Sequence, residues 1–291
     1  MRETMHVKTS AGRIAVRTST GSRNPLLLIH GNSMNSRVFD ALLDSPLGRS
    51  YKLIAVDLPG HGASDNAAFP DQAYTLPGYA DAMLDVLFSL DAPNAAVFGW
   101  SLGGHIALEM MAKSQSVAGA FLVGAPPVTP GPTAITGFNV TENTALYMTE
   151  SLDEASQRLL AEISVSDPAS HHVYEAVART DGRARRIVVE SLLAGVGADP
   201  AQLFGDAQRT IALIIGEHDS SLSTSFMQSI CGPALWRGGV QTIADAGHAP
   251  FLDAPASFNA LLLQFLRNVA QLRQAPPAPP SDQEDRKRLR A

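Results

Sequence analysis

Gly99-Trp-Ser-Leu-Gly-Gly104 follows an apolar run at residues 95–98 and opens a segment of helical character at 102–113. The stretch matches G-x-S-x-G, the pattern of a sharp strand-to-helix turn that presents a serine. Glycines two residues before and after the serine leave room for the strained backbone of such a turn. Free N–H groups at the start of the helix also favour negative charge beside the serine. We therefore interpret Ser101 as a nucleophile, the alternative being a glycine-rich turn with an N-cap serine.

Short apolar runs that end at a glycine or a turn recur on both sides of this motif, at residues 26–29, 52–58, 95–98, 119–123, 211–215 and 240–243. Such runs are typical of strands that are buried on both faces, as in a parallel sheet. Segments with helical spacing alternate with them, at 79–90, 102–113 and 256–269. This alternation predicts an α/β fold with a mostly parallel, doubly wound sheet, preceded by a hairpin at residues 6–20.

The alternation of strand-like and helix-like segments is interrupted between residues 126 and 208. This segment begins with prolines and then carries helical patterns at 152–163, 172–179 and 183–193. We interpret it as a helical cap that is inserted into a core formed by residues 1–125 and 209–272. The last segment, 273–291, is rich in proline and then in charge, which favours a disordered tail.

Composition restricts the class of protein. In 291 residues there are 22 Lys and Arg against 28 Asp and Glu, for a net charge of −6. This balance lacks the basic surface of a nucleic-acid binder and gives no attraction to an anionic membrane. The single cysteine, Cys231, permits no intramolecular disulfide, and no apolar run is long enough to span a bilayer. We expect a cytoplasmic protein that acts on a small molecule; the sequence does not indicate its oligomeric state.

A serine hydroxyl needs a base to take its proton, and eight histidines are available. His248 follows the last predicted strand and precedes the last predicted helix, which is a suitable loop position. His30 and His61 lie beside glycines in tight turns and favour a structural role, as does Asp57 in the same stretch. His105 lies one helical turn beyond Ser101 and is expected to point into packing. Position and chain order therefore favour His248 as the base.

The base in turn needs a carboxylate that orients it. The strand at 211–215 runs into Gly216-Glu-His-Asp219, which places an acid on the following loop. Ser101, Asp219 and His248 then occur in the chain order serine, acid, histidine, which is the order that accompanies a G-x-S-x-G turn. Glu217 is the competing carboxylate. The loop after the preceding strand, Gly124-Ala-Pro-Pro127, contains no acid.

Acyl transfer also requires donors for a tetrahedral oxyanion. We expect one from the backbone N–H of Leu102 and one from the backbone N–H of Asn32, in the loop after the run at 26–29. The Asn32 side chain is either a further contact to substrate or simply part of a turn. Because dinucleotide and phosphate-loop fingerprints and metal-binding motifs are lacking, we predict no metal and no cofactor.

Four motifs in order resemble the α/β-hydrolase superfamily across residues 5–271: His30-Gly-Asn-Ser, Asp57-Leu-Pro-Gly-His-Gly, Gly99-Trp-Ser-Leu-Gly-Gly and Ala246-Gly-His-Ala-Pro-Phe. Three further stretches resemble N-acyl-homoserine lactonases of this fold: Val97 to Ile106, Gly78 to Met83 and, within the cap, Val177 to Arg186. The likeness implies metal-independent hydrolysis of the lactone ring of a bacterial quorum-sensing signal. It also implies a triad acid that is glutamate in some members, where this chain has Asp219.

The resemblance leaves other functions open. A carboxylesterase for small esters would use the same residues with a different pocket, and a slow-turnover ligand receptor on the hydrolase fold would keep the triad. In the cap, apolar side chains either form an acyl-chain pocket or serve as packing positions: Phe138, Leu146, Tyr147, Met148 and Leu152. Acyl-chain preference is not encoded in any motif that we identify.

Overall fold

The computed structural model describes residues 4–169 and 172–274, and within these ranges eight strands form one sheet. The strands are β1 (Met5–Thr9), β2 (Gly12–Thr18), β3 (Arg23–Ile29), β4 (Tyr51–Val56), β5 (Ala96–Trp100), β6 (Gly119–Val123), β7 (Thr210–Gly216) and β8 (Gln241–Ile243). Their order is β1-β2-β4-β3-β5-β6-β7-β8. The pairs β1–β2 and β2–β4 are antiparallel and all others are parallel, which confirms the predicted mostly parallel sheet.

Helices cover the sheet. They are α1 (Asp40–Asp44), α2 (Pro46–Ser50), α3 (Pro70–Ala73), α4 (Leu76–Ser89), α5 (Leu102–Lys113), α6 (Glu154–Ser164), α7 (Val173–Arg179), α8 (Gly182–Leu193), α9 (Pro200–Phe204), α10 (Thr224–Ser229), α11 (Pro250–Asp253) and α12 (Pro255–Gln274). Short 3-10 helices occupy Ser36–Phe39, Pro132–Gly137, Glu142–Met148 and Trp236–Gly238. None of the helices in the described ranges combines the length and apolar character that a membrane crossing needs.

Strand β3 explains why the sheet is covered on both faces. Its residues Leu26 to Ile29 are fully buried and alternate between two apolar clusters. Leu27 and Ile29 join the cluster that contains residues of α4 and α5, whereas Leu26 and Leu28 join the cluster that contains residues of α1 and α12. Side chains of a strand alternate between faces, so a continuous apolar run requires a layer on each side. Burial of each such leucine stabilises the fold by about 1.5–3 kcal/mol.

The segment between β6 and β7 contains α6 to α9 and two of the 3-10 helices, which confirms an inserted helical cap on the fold. Leu160, Val173 and Val177 pack into the cluster on one face of the sheet, and Ile187 and Val188 pack into the cluster on the other. The exact domain boundaries, 126 and 208, stay a prediction.

The end of the chain differs in one detail from the sequence prediction. Helix α12 extends to Gln274, two residues into the predicted tail at 273–291. The remainder of that tail, 275–291, lies outside the described residues.

Parallel pairing decides where the functional loops meet. Because β3, β5, β6, β7 and β8 run in the same direction, their carboxyl ends lie at one edge of the sheet. Ligand sites of open α/β sheets form outside this edge. The loops that carry Asn32, Ser101, Asp219 and His248 all leave the sheet there.

Candidate active site

Ser101 occupies a strained turn between β5 and α5. Its backbone angles are φ 52° and ψ −117°, outside the regions that a residue with a side chain normally adopts. A Cβ atom at Gly99 would collide with the carbonyl oxygen of Gly103, and one at Gly103 would collide with that of Ile29. Both glycines are therefore required by close packing of backbone around the turn. Strain of this kind costs about 1–3 kcal/mol and holds the serine side chain out of the helix.

The loop after β3 lies directly against the serine. A Cβ atom at Gly31 would lie 3.3 Å from the Cβ of Ser101. Asn32 follows Gly31, and Leu102 is the first residue of α5, whose N–H has no partner inside the helix. The two expected oxyanion donors thus come from segments that adjoin Ser101 on either side, and their role stays a prediction.

The Asn32 side chain has partners within the protein. Its Nδ2 group donates to the carbonyl oxygen of Tyr147 at 2.9 Å, and its Oδ1 accepts from the Ser33 hydroxyl at 2.9 Å. These bonds give the side chain a structural role, and a contact between Asn32 and substrate stays a prediction. The amide connects the loop after β3 with the cap.

His248 and Asp219 form the pair that the sequence predicts. Nδ1 of His248 lies 2.8 Å from Oδ2 of Asp219, and the Asp219 side chain is only 2% exposed. Because Nδ1 is engaged in this way, Nε2 is the nitrogen that can accept a proton. Trp100, which precedes Ser101, donates its indole N–H to the carbonyl oxygen of His248 at 2.8 Å. This bond ties the histidine loop to the serine turn.

Electrostatics favour an ionised Asp219. Its burial is the largest single effect and opposes ionisation, but attraction to His248 and hydrogen bonds from His248 and Ser221 outweigh it. The pKa of Asp219 therefore lies below its usual value. The competing carboxylate, Glu217, is exposed and accepts a bond from the backbone N–H of Asp245 at 3.2 Å. The geometry thus favours Asp219 over Glu217 as the partner of the histidine.

Ser221 is a site residue that the sequence analysis does not identify. Its hydroxyl lies 2.6 Å from Oδ1 of Asp219 and 3.1 Å from Nδ1 of His248. Its backbone N–H also donates to Oδ1 of Asp219 at 3.1 Å. Ser221 therefore occupies the second oxygen of the carboxylate while Oδ2 bonds the histidine. The only signal that the sequence offers is its position two residues after Asp219, from which a serine hydroxyl can reach the carboxylate.

Other polar residues of the predicted motifs have structural partners. His30 accepts at Nε2 from the N–H of Leu58 (3.0 Å), and its Nδ1 lies 2.8 Å from the carbonyl oxygen of Gly31. Asp57 accepts from the N–H groups of Ser36 and Ala63, each at 2.7 Å. These contacts fit the structural role that the sequence suggests for His30 and Asp57.

The cap approaches the site through Tyr147. Its hydroxyl lies 3.1 Å from the Ser164 hydroxyl, and its ring is partly buried against the cluster that contains Phe98 and Phe258. Burial raises the pKa of Tyr147, and although the bond with Ser164 opposes the increase, the negative charge of Asp219 adds to it. Leu146 and Leu152 pack partly buried against the same cluster.

Two further features include none of Ser101, Asp219 and His248. Within the described ranges, Glu217, His218 and Asp245 place potential metal-ligand atoms within 4.8 Å of one another, and all three residues are exposed. A cavity of about 500 Å³ lies beside the β1–β2 turn, where Asp65, Phe69 and Asp81 contribute to its lining. The lining of this cavity contains none of Ser101, Asp219 and His248. The candidate site is therefore identified from the contacts of these residues and not from this cavity.

A protein-family model matches the chain over residues 26–261, and its description is alpha/beta hydrolase family. Among curated proteins, pimeloyl-[acyl-carrier protein] methyl ester esterase of Nitrosomonas europaea is 27% identical over 258 residues, 82% of this chain and 94% of that protein. The AB hydrolase superfamily protein YisY of Bacillus subtilis is 33% identical over 95 residues, which is 33% of this chain and 34% of that protein.

Solved structures include a more similar protein. The crystal structure of the N-acyl homoserine lactonase AidH complexed with N-butanoyl homoserine superposes with a TM-score of 0.89 at 39% sequence identity. The match covers 94% of this chain and 100% of that one. The similarity therefore includes the cap as well as the sheet.

Proposed function

This chain belongs to the alpha/beta hydrolase family, and we propose that it opens the lactone ring of N-acyl homoserine lactones, the signals of bacterial quorum sensing. The observation that carries the proposal is the 39% identity to a lactonase over nearly the full length of both chains. The sequence resemblance within the cap, at residues 177–186, points to the same substrate class. The biological role would then be quorum quenching.

Ser101, His248 and Asp219 perform the proposed chemistry. The Ser101 oxygen attacks the lactone carbonyl carbon while Nε2 of His248 takes the hydroxyl proton. The oxyanion that results accepts hydrogen bonds from the N–H groups of Asn32 and Leu102. When the ring C–O bond breaks, His248 returns its proton to the departing alkoxide, so that the serine carries an ester of N-acyl homoserine.

Water completes the cycle. His248 takes a proton from a water molecule, whose oxygen attacks the ester carbonyl. The tetrahedral intermediate collapses, the serine oxygen regains its proton from His248, and N-acyl homoserine leaves. In sum one lactone and one water give one ring-opened acid. Throughout, Asp219 holds Nδ1 of His248 and stabilises the imidazolium that forms twice. No metal participates in this scheme.

The acyl chain is proposed to lie along the apolar side chains of the cap. Leu146, Tyr147 and Leu152 are partly buried there, and the carbonyl oxygen of Tyr147 accepts from Nδ2 of Asn32. Phe138 rests against His105, with ring centroids 6.1 Å apart. These side chains, together with Met148, supply apolar surface of the kind that suits an acyl chain.

A second candidate is hydrolysis of small linear esters, which the similarity to a methyl ester esterase favours. The test compares kcat/KM for N-hexanoyl homoserine lactone with kcat/KM for the methyl ester of the same acyl chain. A ratio well above one supports the lactonase. Cleavage of the ester without opening of the lactone would contradict the lactonase proposal and favour the esterase. A single burst without turnover on either substrate would instead indicate a ligand receptor.

A further inference from the structure

A buried arginine of the cap joins three separate segments of the chain. Arg185, on α8, is 4% exposed. Its Nε donates to the carbonyl oxygen of Thr149 at 2.9 Å, and its Nη2 to that of Glu150 at 3.1 Å. Its Nη1 lies 3.4 Å from the hydroxyl oxygen of Ser33. None of these three acceptors is a carboxylate. The buried guanidinium group therefore bonds two backbone carbonyl groups and a hydroxyl group instead of forming an ion pair.

Ser33 links Arg185 to the loop that adjoins Ser101. It is fully buried and has a φ of 63°, the left-handed region that a residue other than glycine adopts only when its surroundings hold it there. The Ser33 hydroxyl donates to Oδ1 of Asn32, and Nδ2 of Asn32 donates to the carbonyl oxygen of Tyr147. The segment 147–150 is therefore bound by Asn32 at one end and by Arg185 at the other, and the two side chains meet at Ser33.

This network includes Asn32, whose backbone N–H is one of the two expected oxyanion donors. The preceding residue, Gly31, lies so close to Ser101 that a Cβ atom added to it would be 3.3 Å from the Cβ of Ser101. Donors of an oxyanion hole act only when they are held close to the productive geometry. Loss of the network would release the strained backbone at Ser33 and shift the donor of Asn32.

We propose that Arg185 and Ser33 are positioning residues that hold the oxyanion loop against Ser101, so that the cap governs stabilisation of the tetrahedral intermediate through the segment 147–150. The inference rests on the proposed serine mechanism but not on a lactone as the substrate. It implies that a cap contact with the acyl chain influences kcat as well as KM, because the same segment carries both functions.

The test uses two ketones of equal chain length. A trifluoromethyl ketone forms a hemiketal with Ser101: the serine oxygen bonds to the carbonyl carbon, the serine proton passes to His248, and the former carbonyl oxygen becomes the oxyanion. The methyl ketone of the same chain binds without forming it to a comparable extent. Only the first ligand reports on the oxyanion loop.

Arg185→Met and Ser33→Ala are predicted to raise the inhibition constant of the trifluoromethyl ketone at least about tenfold. Binding of the methyl ketone should change less than about threefold, because the methyl ketone makes little use of the oxyanion donors. Arg185→Lys should be intermediate, since an ammonium cannot reproduce the planar fork. Arg158→Met is the matched control, because Arg158 is an exposed arginine of the cap helix α6 that pairs with the exposed Glu154 and makes no hydrogen bond or ion pair with the described segment 147–150.

Two results would overturn the inference: both ketones lose affinity by the same factor, or neither does, in protein that thermal unfolding shows to be folded. Ser33→Ala keeps the test decisive if Arg185→Met fails to fold. If the wild type opens no lactone but the variants selectively lose affinity for the trifluoromethyl ketone, the proposed substrate is refuted and the positioning role is supported. If the wild type opens the lactone and the variants show no selective loss, the proposed substrate is supported and the positioning role is refuted.

Discussion

Nδ1 of His248 lies 2.8 Å from Oδ2 of Asp219, although 29 residues separate them in the chain. The two residues meet because β7 and β8 are parallel neighbours, so the loops that follow them leave the sheet side by side. This relationship orients the imidazole and leaves Nε2 as the nitrogen for the proposed proton transfer. The Ser221 hydroxyl secures the other carboxylate oxygen.

Asp219→Asn is predicted to lower kcat about 10⁴-fold while leaving the fold intact. An amide at this position favours the wrong tautomer of His248 and removes the charge that stabilises the imidazolium. Steady-state kinetics on the preferred substrate measure the effect. Glu217→Gln is the control, since Glu217 is an exposed carboxylate of the same loop. A larger loss in Glu217→Gln than in Asp219→Asn would show that Glu217, and not Asp219, is the acid that orients His248.

Ser221→Ala is predicted to lower kcat about tenfold with little change in KM, because a hydrogen bond to an ionised carboxylate is lost. The bond from Ser221 helps to lower the pKa of Asp219. Its loss should raise this pKa and move the acid limb in the pH profile of kcat to higher pH. Ser220→Ala, at the exposed neighbouring position, serves as the comparison and should behave like the wild type. Unchanged kcat and an unchanged profile in Ser221→Ala would leave Ser221 without a role at the site.

Gly124→Ala is predicted to reduce activity by about 10²-fold or more, because small displacements of catalytic groups are costly. A Cβ atom at Gly124 would lie 2.8 Å from Cε1 of His248, and the glycine has a φ of 59°. The added methyl group therefore displaces the imidazole or the loop. Gly205→Ala meets only ordinary contacts and is the matched control. Full activity in Gly124→Ala would mean that the histidine is free to move without consequence.

Stability is predicted to fall as the pH is lowered below about 6.5, the ordinary pKa of histidine. Burial, with a smaller contribution from the charge of His30, lowers the pKa of His61 to about 3. Between these two values the unfolded chain binds a proton at His61 that the folded chain does not, so lowering the pH favours unfolding. The slope from this residue approaches about 1.4 kcal/mol per pH unit.

Urea unfolding of the wild type and His61→Phe at about pH 7 and about pH 5 tests this slope. The difference in the free energy of unfolding between the two pH values should be smaller in the variant, whatever its stability at neutral pH. An equal difference in both proteins would show that His61 is protonated in the folded state.

The serine turn is predictable from sequence because its determinants are local. Gly99 and Gly103 are each two residues from Ser101, and each is required by a close backbone approach. Helix α5 follows at the predicted position, Leu102–Lys113, because it begins at the same turn. The strands that surround the turn are continuous apolar runs, which indicate burial on both faces without knowledge of their neighbours.

Features that depend on long-range contacts could not be predicted in this way. Arg185 reaches Ser33 across 152 residues, and Asn32 reaches Tyr147 across 115. Neither pair follows a local pattern, since their meeting depends on how the cap lies over the sheet. The short helices α1 and α2, at Asp40–Asp44 and Pro46–Ser50, were also missed because five residues are too few to show a helical period.

The most direct test of the central claim is ring opening of N-hexanoyl homoserine lactone by the wild type and by Ser101→Ala, with a metal chelator present in both assays. The proposed mechanism predicts that the chelator changes the rate of ring opening by the wild type by less than about twofold. It also predicts that Ser101→Ala lowers this rate about 10⁴-fold or more, to the residual rate that the oxyanion donors and substrate binding supply alone. Opening that survives in Ser101→Ala, or that the chelator abolishes in the wild type, would contradict it.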